Sequence, residues 1–479
     1  MKLLLNSDLF EYDIRGLLMA FCPWTDFSTE ETAEDTQCLR VFYGEERNGK
    51  LSADVTFTDG DRTFRTEAEL DLSDRKTAKT LLKQKLYRLL SEATGKTLPW
   101  GTLTGIRPTK IPMAMIREGA SEEEIRHHME DELLCSHEKS VLAEEIARRE
   151  LRLLNTIDAE NGYSLYIGIP FCPSICLYCS FSSYALDAYK DRVDDYLAAL
   201  LKELSYAEEA FRGKPLNSIY FGGGTPTTLT PVQLDMLLGE VTKRFDLSAV
   251  REWTVEAGRP DSVTREKLQV LRQYPVSRIS VNPQTMHQKT LDLIGRKHTV
   301  EDVIHTYDLA REMGFDNINM DLILGLPGED KKDVEETMQE IVKLDPDNVT
   351  IHSLAIKRAA RLNLFKDAYA DYRMENSDEL MNLCGQYLKT IGQKPYYLYR
   401  QKNMAGNQEN VGYAREGKEG VYNILIMEEV QTILALGAGA TTKRVQKDLI
   451  TRAENVKDVR TYIANIDEMI ERKKTLFRA

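Results

Sequence analysis

Residues 164–179 read "SLYIGIPFCPSICLYC". An apolar run with strand character stops at Pro170, and the loop that follows carries Cys172, Cys176 and Cys179. Ser174, Tyr178 and Ser180 make this loop polar, so three coincidental core cysteines are a poor account of it. Thiolates spaced C-x3-C-x2-C can converge from a single loop on one soft metal centre. A closed structural zinc site needs four ligands, but no second cysteine pair exists, and His137 and His287 are far off in sequence. An iron–sulfur cluster is the better fit. Most such clusters take four cysteines; three leave one iron without a protein ligand. An open position marks a catalytic rather than a structural zinc site, and the same logic lets an open iron bind a substrate or cofactor.

The texture around this loop sets the fold class. From about residue 164, short apolar runs alternate with amphipathic helices. The strand candidates are "SLYIGIP", "SIYFGGG", "EWTVEAG", "RISVNPQ", "NINMDLILGL" and "NVTIHSLAI". The rhythm predicts βαβ units and a parallel sheet, an α/β partial (βα)6 barrel over residues 161–360. Working residues of such barrels sit at the C-terminal ends of strands, where the cysteine loop falls. Residues 1–160 read as a separate N-terminal α+β domain of unassigned role. Hairpin signals lie at Asn48-Gly49 and Asp59-Gly60-Asp61, and helical periodicity covers 75–96 and 121–155. Ser121 and Glu124 form a capping box, and the adjacent His127 and His128 cannot share one helix face. Residues 361–479 read as a C-terminal α+β subdomain. It has helix over 361–393, strands over 395–407 and 421–443 around a glycine-rich turn, and a final helix over 455–477.

Composition excludes some partners. A formal net charge of -13 argues against non-specific binding to nucleic acid or an anionic membrane. No apolar stretch reaches the roughly 18 residues a membrane span needs. The start, "MKLLLNSDLFEYD", has too short an apolar run for a signal peptide. A cytoplasmic protein with reduced thiols is expected, with Cys22, Cys38, Cys135 and Cys384 as small buried apolar residues and no disulfide framework.

Further patterns point to ligands. "FGGGTPTTL" at 221–229 ends the second strand, and its glycines let backbone N–H groups approach a ligand closely. No Gly-Lys-Ser/Thr follows, which disfavours a phosphate loop. Glu256 ends the third strand; a buried carboxylate there needs a cation or donors, with Arg259 or Arg278 as salt-bridge alternatives. Asp321, inside an apolar strand, needs a partner such as a hydroxyl pair or Arg296. "LTGIRPTKIP" at 103–112, with Arg107 and Lys110, reads as a surface loop.

Together, "YIGIPFCPSICLYC", "GGGTP" and "DLILGLPGE" resemble the radical S-adenosylmethionine (SAM) enzymes over roughly residues 164–360. The "IPFC" lead-in resembles the oxygen-independent coproporphyrinogen III oxidase branch, and the N-terminal region its HemZ-type coproporphyrinogen dehydrogenases. The resemblance implies a [4Fe-4S] cluster on Cys172, Cys176 and Cys179, whose open iron is chelated by the methionyl amino and carboxylate groups of SAM. One electron from the reduced cluster then releases a 5′-deoxyadenosyl radical. It implies one or two SAM molecules held by Tyr166, Tyr178, Gly223, Gly224, Thr225, Glu256, Gln284, Arg296, Asp321 and Ala355. It implies oxidative decarboxylation of coproporphyrinogen III to protoporphyrinogen IX in haem and porphyrin biosynthesis. A reductant such as flavodoxin or ferredoxin would serve a cytoplasmic monomer. No catalytic residue is assigned. The four propionates of that substrate need cations, for which Lys357, Arg358, Arg361, Arg400 and Lys402 are candidates. "LGAGATT" at 436–442 corresponds to a glycine-rich stretch of the family and is expected to help cover the barrel mouth. Phe181 stands where the best-studied oxidases carry a fourth, non-ligand cysteine, and Gly168 stands at their "IHIP" histidine. The related haem chaperones share the missing cysteine, so a haem-binding protein is the second reading and a zinc-stabilised module the third.

Overall fold

Alternation at period two builds the first sheet. β1 (Lys2–Leu5) runs parallel to β2 (Gln37–Arg47), and β3 (Lys50–Asp59) and β4 (Arg62–Asp71) follow antiparallel. The turns fall at Asn48-Gly49 and at Gly60, where the hairpin signals put them. Leu39, Val41, Val55, Phe57 and Leu70 face one side and are buried with Leu17, Leu18, Leu82, Leu86 and Leu90 from helices Glu11–Phe21 and Arg75–Thr94. The capping box of Ser121 and Glu124 forms. His127 and His128 diverge as expected, each turned to its own carboxylate, Asp131 and Glu132. The helix expected over 121–155 is broken: Glu122–His127 and a π-turn, His128–Glu132, precede His137–Leu154. Between them the Leu133 carbonyl accepts from Thr102, and Leu134 takes a positive φ of 58°. Tertiary hydrogen bonds there outweigh helical periodicity.

The computed structural model describes residues 1–23, 25, 27–29, 36–181, 183–357, 360–365, 369, 371–374, 376–401, 404–447 and 449–478. Two compact units divide the chain: Met1–Arg148 with Arg400–Asn403, and Arg149–Tyr399 with Met404–Ala479.

The second unit holds an eleven-stranded sheet. Its centre is six parallel strands in chain order: β5 (Tyr163–Ile169), β6 (Leu216–Gly223), β7 (Glu252–Glu256), β8 (Arg278–Ser280), β9 (Ile318–Leu324) and β10 (Asn348–Ser353). Helices Val193–Ala210, Pro231–Arg244, Arg265–Arg272, Val300–Glu312 and Lys331–Leu344 make the crossovers, and Asp378–Thr390 follows β10. Thr230, Thr264, Thr299 and Asp330 cap four of the crossover helices by accepting backbone N–H groups of the first turn. This is the partial (βα)6 barrel that the strand–helix rhythm predicts.

The segment after residue 360 extends both edges of the same sheet. β11 (Lys394–Tyr399) and β12 (Asn410–Ala414) add beside β10, with β12 antiparallel to it; β13 (Thr432–Leu436) adds parallel to β5, followed by β14 (Thr441–Gln446) and β15 (Leu449–Glu454). Two expectations here are corrected. "VYNILIMEE" forms the helix Val421–Glu428, not a strand, because Val421, Ile424 and Leu425, at i, i+3 and i+4, pack with Tyr396, Tyr397 and Ala414. The closing helix is two, Val459–Ala464 and Ile466–Arg478, separated by Asn465.

Strand alternation divides the barrel strands chemically. One parity carries Leu165, Ile167, Ile219, Phe221, Trp253, Val255, Met320, Leu322, Val349 and Ile351, all buried. The other carries Ser164, Tyr166, Ser218, Tyr220, Thr254, Glu256, Asn319, Asp321, Thr350 and His352. These touch one another across the sheet. Ser218 donates to Ser164 at 2.7 Å, Tyr220 to Glu256 at 2.5 Å, and Thr350 to Asn319 at 3.1 Å. The barrel therefore has a polar, aromatic interior opening at the strand ends.

Candidate metal centre and the chamber beside it

The cysteine loop leaves β5 at Pro170 and is pinned by backbone hydrogen bonds. Thr225 N donates to Phe171 O at 2.8 Å, Gly224 N to Ile169 O at 2.7 Å, and Leu177 N to Ile294 O at 2.9 Å. The loop and the glycine turn of β6 lie so close that a Cβ on Gly224 would sit 2.6 Å from Phe171 O and 3.0 Å from Cys172 Sγ. That close approach requires glycine. Thr225 Oγ1 donates to Cys172 Sγ at 3.5 Å.

Among the described residues, only His287, Asp333 and Glu336 bring three ligand atoms within 4.8 Å of one another. The three sulfurs are thus spread more widely than around one zinc, where tetrahedral bonds of about 2.3 Å put sulfurs roughly 3.8 Å apart. A spread set of thiols suits the separate iron corners of a cluster. Burial pushes the Cys172 thiol up to about 11, and the nearby Cys179 and Cys176 add to it. Burial also raises Cys179. Partly dry thiols are costly to ionise alone, and a bound cationic centre relieves that cost by deprotonating its thiol ligands outright. The residues fit a [4Fe-4S] cluster. The remaining cysteines follow expectation in part: Cys135 and Cys384 are buried, Cys22 and Cys38 half-buried.

Next to the loop lies the chamber. Tyr178 and Arg296 neighbour Cys176 and each other. Arg296 Nη1 donates to Asn282 O at 2.5 Å; Asn282 Oδ1 accepts from Asp321 N at 3.2 Å; Gln284 N donates to Asp321 O at 2.9 Å. Gln284 sits at φ 71°, a strained region for a non-glycine residue, held there by this bond and by Ile323 N donating to its carbonyl at 2.9 Å. Arg296 is buried and its Nε has no protein partner. Glu256 accepts from Tyr220, whose ring stacks with Tyr422 at 4.5 Å and with Tyr166 at 6.2 Å. Ala355 follows β10 and bridges to Met404.

The two chamber carboxylates are driven apart. Burial raises Glu256 to about 7, with Asp321 raising it further against the Tyr220 hydrogen bond. Asp321 is lowered: burial opposes this, but His352, 3.8 Å away, and Asn319, donating at 2.7 Å, outweigh it. One carboxyl is thus poised to exchange a proton near neutrality while the other stays ionised.

Several sequence expectations change here. Asp321's partners are Asn319, His352 and Asn282, not Arg296, which turns to the Asn282 carbonyl and the cysteine loop. Arg259 does not serve Glu256; it clamps Asp261 and reaches the cysteine loop. Arg400 is no cleft cation: it is buried, and its Nη1 donates to Leu103 O at 2.7 Å within the first unit. Lys357 Nζ lies 5.8 Å over the Phe181 ring and Arg361 6.0 Å over Phe365. Arg358 and Lys402 lie outside the described residues. Residues the sequence reading passed over are Tyr220, Tyr422, Asn282 and His352. Tyr220 and His352 share strand parity with Glu256's face and could have been found by alternation; Tyr422, from a distant helix, carried no signal.

Residues 166–341 match the family model described as the Radical SAM superfamily. The chain is 42% identical over 404 residues to the oxygen-independent coproporphyrinogen-III oxidase-like protein HemZ of Bacillus subtilis, covering 83% of this chain and 81% of that protein. It is 39% identical over 196 residues to the heme chaperone HemW of the same organism, covering 40% and 51%. It is 25% identical over 312 residues to the oxygen-independent coproporphyrinogen III oxidase of Escherichia coli, covering 64% and 66%. The solved structure of coproporphyrinogen III oxidase HemN from Escherichia coli shares the fold, with TM-score 0.52 at 23% identity over 67% of this chain and 73% of that one. No helix among the described residues is long and apolar enough to cross a membrane.

Proposed function

The chain belongs to the radical SAM superfamily, among the oxygen-independent coproporphyrinogen-III oxidase-like proteins, and on that premise we propose that it decarboxylates coproporphyrinogen III to protoporphyrinogen IX. The observation carrying this reading is the seating of three partly dry thiols at the mouth of a chamber with two differently tuned carboxylates. Cys172, Cys176 and Cys179 hold the cluster. Gly223, Gly224 and Thr225 present backbone to the methionyl part of SAM, and Tyr166, Tyr178, Gln284, Arg296 and Ala355 line its site. Glu256 and Asp321 accept from its amino and hydroxyl groups, and a cation beside Glu256 drives that carboxyl to ionise. When bound, reduced cluster and SAM supply the 5′-deoxyadenosyl radical that takes a hydrogen atom from the propionate β-carbon. Loss of carbon dioxide and of one more electron, to an acceptor, leaves a vinyl group. Lys357, over the Phe181 ring at the loop, and Arg361, over the Phe365 ring, supply cations for propionates.

A haem chaperone on the same scaffold is the second reading, supported by Phe181 in place of the fourth cysteine and by the likeness to HemW. One anaerobic experiment separates them. Protein reconstituted with iron and sulfide receives reductant, SAM and coproporphyrinogen, with a low-potential donor such as flavodoxin or ferredoxin. Formation of 5′-deoxyadenosine in step with protoporphyrinogen supports the enzyme; retention of haem without turnover supports the chaperone.

A further inference from the structure

Each thiol of the loop meets a different donor. Cys172 faces the neutral Thr225 hydroxyl. Cys179 faces the Phe181 N–H and the Ser183 hydroxyl. Cys176 meets guanidinium groups: Arg259 Nη1 donates to its sulfur at 3.5 Å, and Arg296 lies beside it. Arg259 is only 4% exposed and is held rigidly. Its Nε and Nη2 clamp Asp261 at 2.9 and 2.7 Å, Nη2 reaches Ser174 Oγ at 3.1 Å, and Nη1 reaches Ser174 O at 3.3 Å. The turn that follows fixes its backbone, since Ser262 donates to Arg259 O through both N and Oγ at 2.9 and 2.7 Å. With the fork locked on Asp261, Nη1 is shared between the Ser174 carbonyl and the Cys176 sulfur. Nearby, His298 is buried with neither ring nitrogen partnered among the described residues, and burial, with Arg296 and Arg259, lowers it to about 4.

We propose that Arg259 sets the reduction potential of the cluster, by holding a buried positive charge and an N–H donor on the Cys176 sulfur. This rests on the cluster reading above. Reduction adds one negative charge to the cluster, and a nearby cation and a hydrogen bond to a ligand sulfur favour the reduced form, raising the potential. Asp261 cancels part of that charge, so the pair sets the potential between two limits. Arg259 touches a ligand, not a substrate, and acts as a positioning and tuning residue.

The test uses the full chain, reconstituted anaerobically, with iron and sulfide counted and the midpoint read by a redox titration followed by electron paramagnetic resonance. Arg259→Gln is expected to lower the reduced-to-oxidised ratio about tenfold at a fixed potential, a midpoint about 59 mV lower for a one-electron couple. Asp261→Asn, which keeps the arginine and removes its counter-charge, moves the midpoint upward, and Arg259→Lys falls between Arg259→Gln and the parent. Unchanged midpoints in fully loaded variants, or shifts of one sign in Arg259→Gln and Asp261→Asn, overturn the proposal. So does a failure of both Arg259 variants to retain the iron and sulfide that the parent holds, which makes the arginine an architectural pin. A parent protein without iron and sulfide is a different result, and it sinks the cluster reading itself.

Discussion

Lys473 on the last helix is fully buried against a fully buried carboxylate, Glu203 on helix Val193–Ala210. Its Nζ donates to Glu203 Oε1 and to Asn455 Oδ1, each at 2.6 Å. Glu203 accepts three more bonds, from Asn455 Nδ2 at 2.8 Å, Tyr462 Oη at 2.6 Å and Gly437 N at 2.8 Å. The last of these seats the glycine-rich stretch on the barrel: a Cβ on Gly437 would meet Gly168 O at 2.5 Å and Tyr196 Oη at 2.6 Å, at a φ of 101°. Lys473→Met removes the one cation that the network holds among the described residues and leaves a buried carboxylate with the Asn455, Tyr462 and Gly437 donors. Breaking one side of such a pair costs about 3–5 kcal/mol, whereas replacing both sides together is near neutral. Lys473→Met is therefore expected to lose about 3–5 kcal/mol, and Glu203→Gln with Lys473→Met to recover at least half. The assay is urea unfolding at neutral pH on parent, both single variants and the double, closed as a cycle. Hydrogen exchange of Gly437 to Ala440 should speed up in Lys473→Met alone. The reasoning is refuted if Lys473→Met costs under about 1 kcal/mol, or if the two changes add within about 0.5 kcal/mol.

Three further outcomes are expected. Burial raises Glu256 from its ordinary 4.5 to about 7, so the folded chain keeps a proton across that window that the unfolded chain has released, and stability falls as pH rises through it. Glu256→Gln should match the parent near pH 4.5 and gain, by paired urea melts, up to about 3 kcal/mol above pH 7, at roughly 1.4 kcal/mol per pH unit; a flat difference refutes this. Gly224→Ala forces a methyl onto Phe171 O and Cys172 Sγ, a strain of about 1–3 kcal/mol. It should lower both melting temperature and bound iron per chain. Cys176→Ser should abolish iron and sulfide retention by colorimetric assay, while Cys384→Ser, at a buried cysteine far along the chain, should leave both intact.

Local pattern alone located the cysteine loop at the end of the first barrel strand, the six parallel strands, the paired hairpins and the capping box. Each of these is written in neighbouring residues: a spacing of thiols, a period of two or 3.6, a turn dipeptide. The charge balance likewise needs no fold. Tertiary structure decided what those patterns touch. Arg259 was read beside Glu256, three positions away, yet its fork closes on Asp261 and points at Cys176, because a rigid turn and not chain proximity sets its direction. Asp321 found Asn319, His352 and Asn282 rather than Arg296 because strand register brings those groups together across the sheet. "VYNILIMEE" became helix and Tyr422 joined Tyr220 and Tyr166 through packing with strands far away in sequence. Register, burial and the direction of a donor depend on residues hundreds of positions apart, so they exist only once the chain has closed on itself.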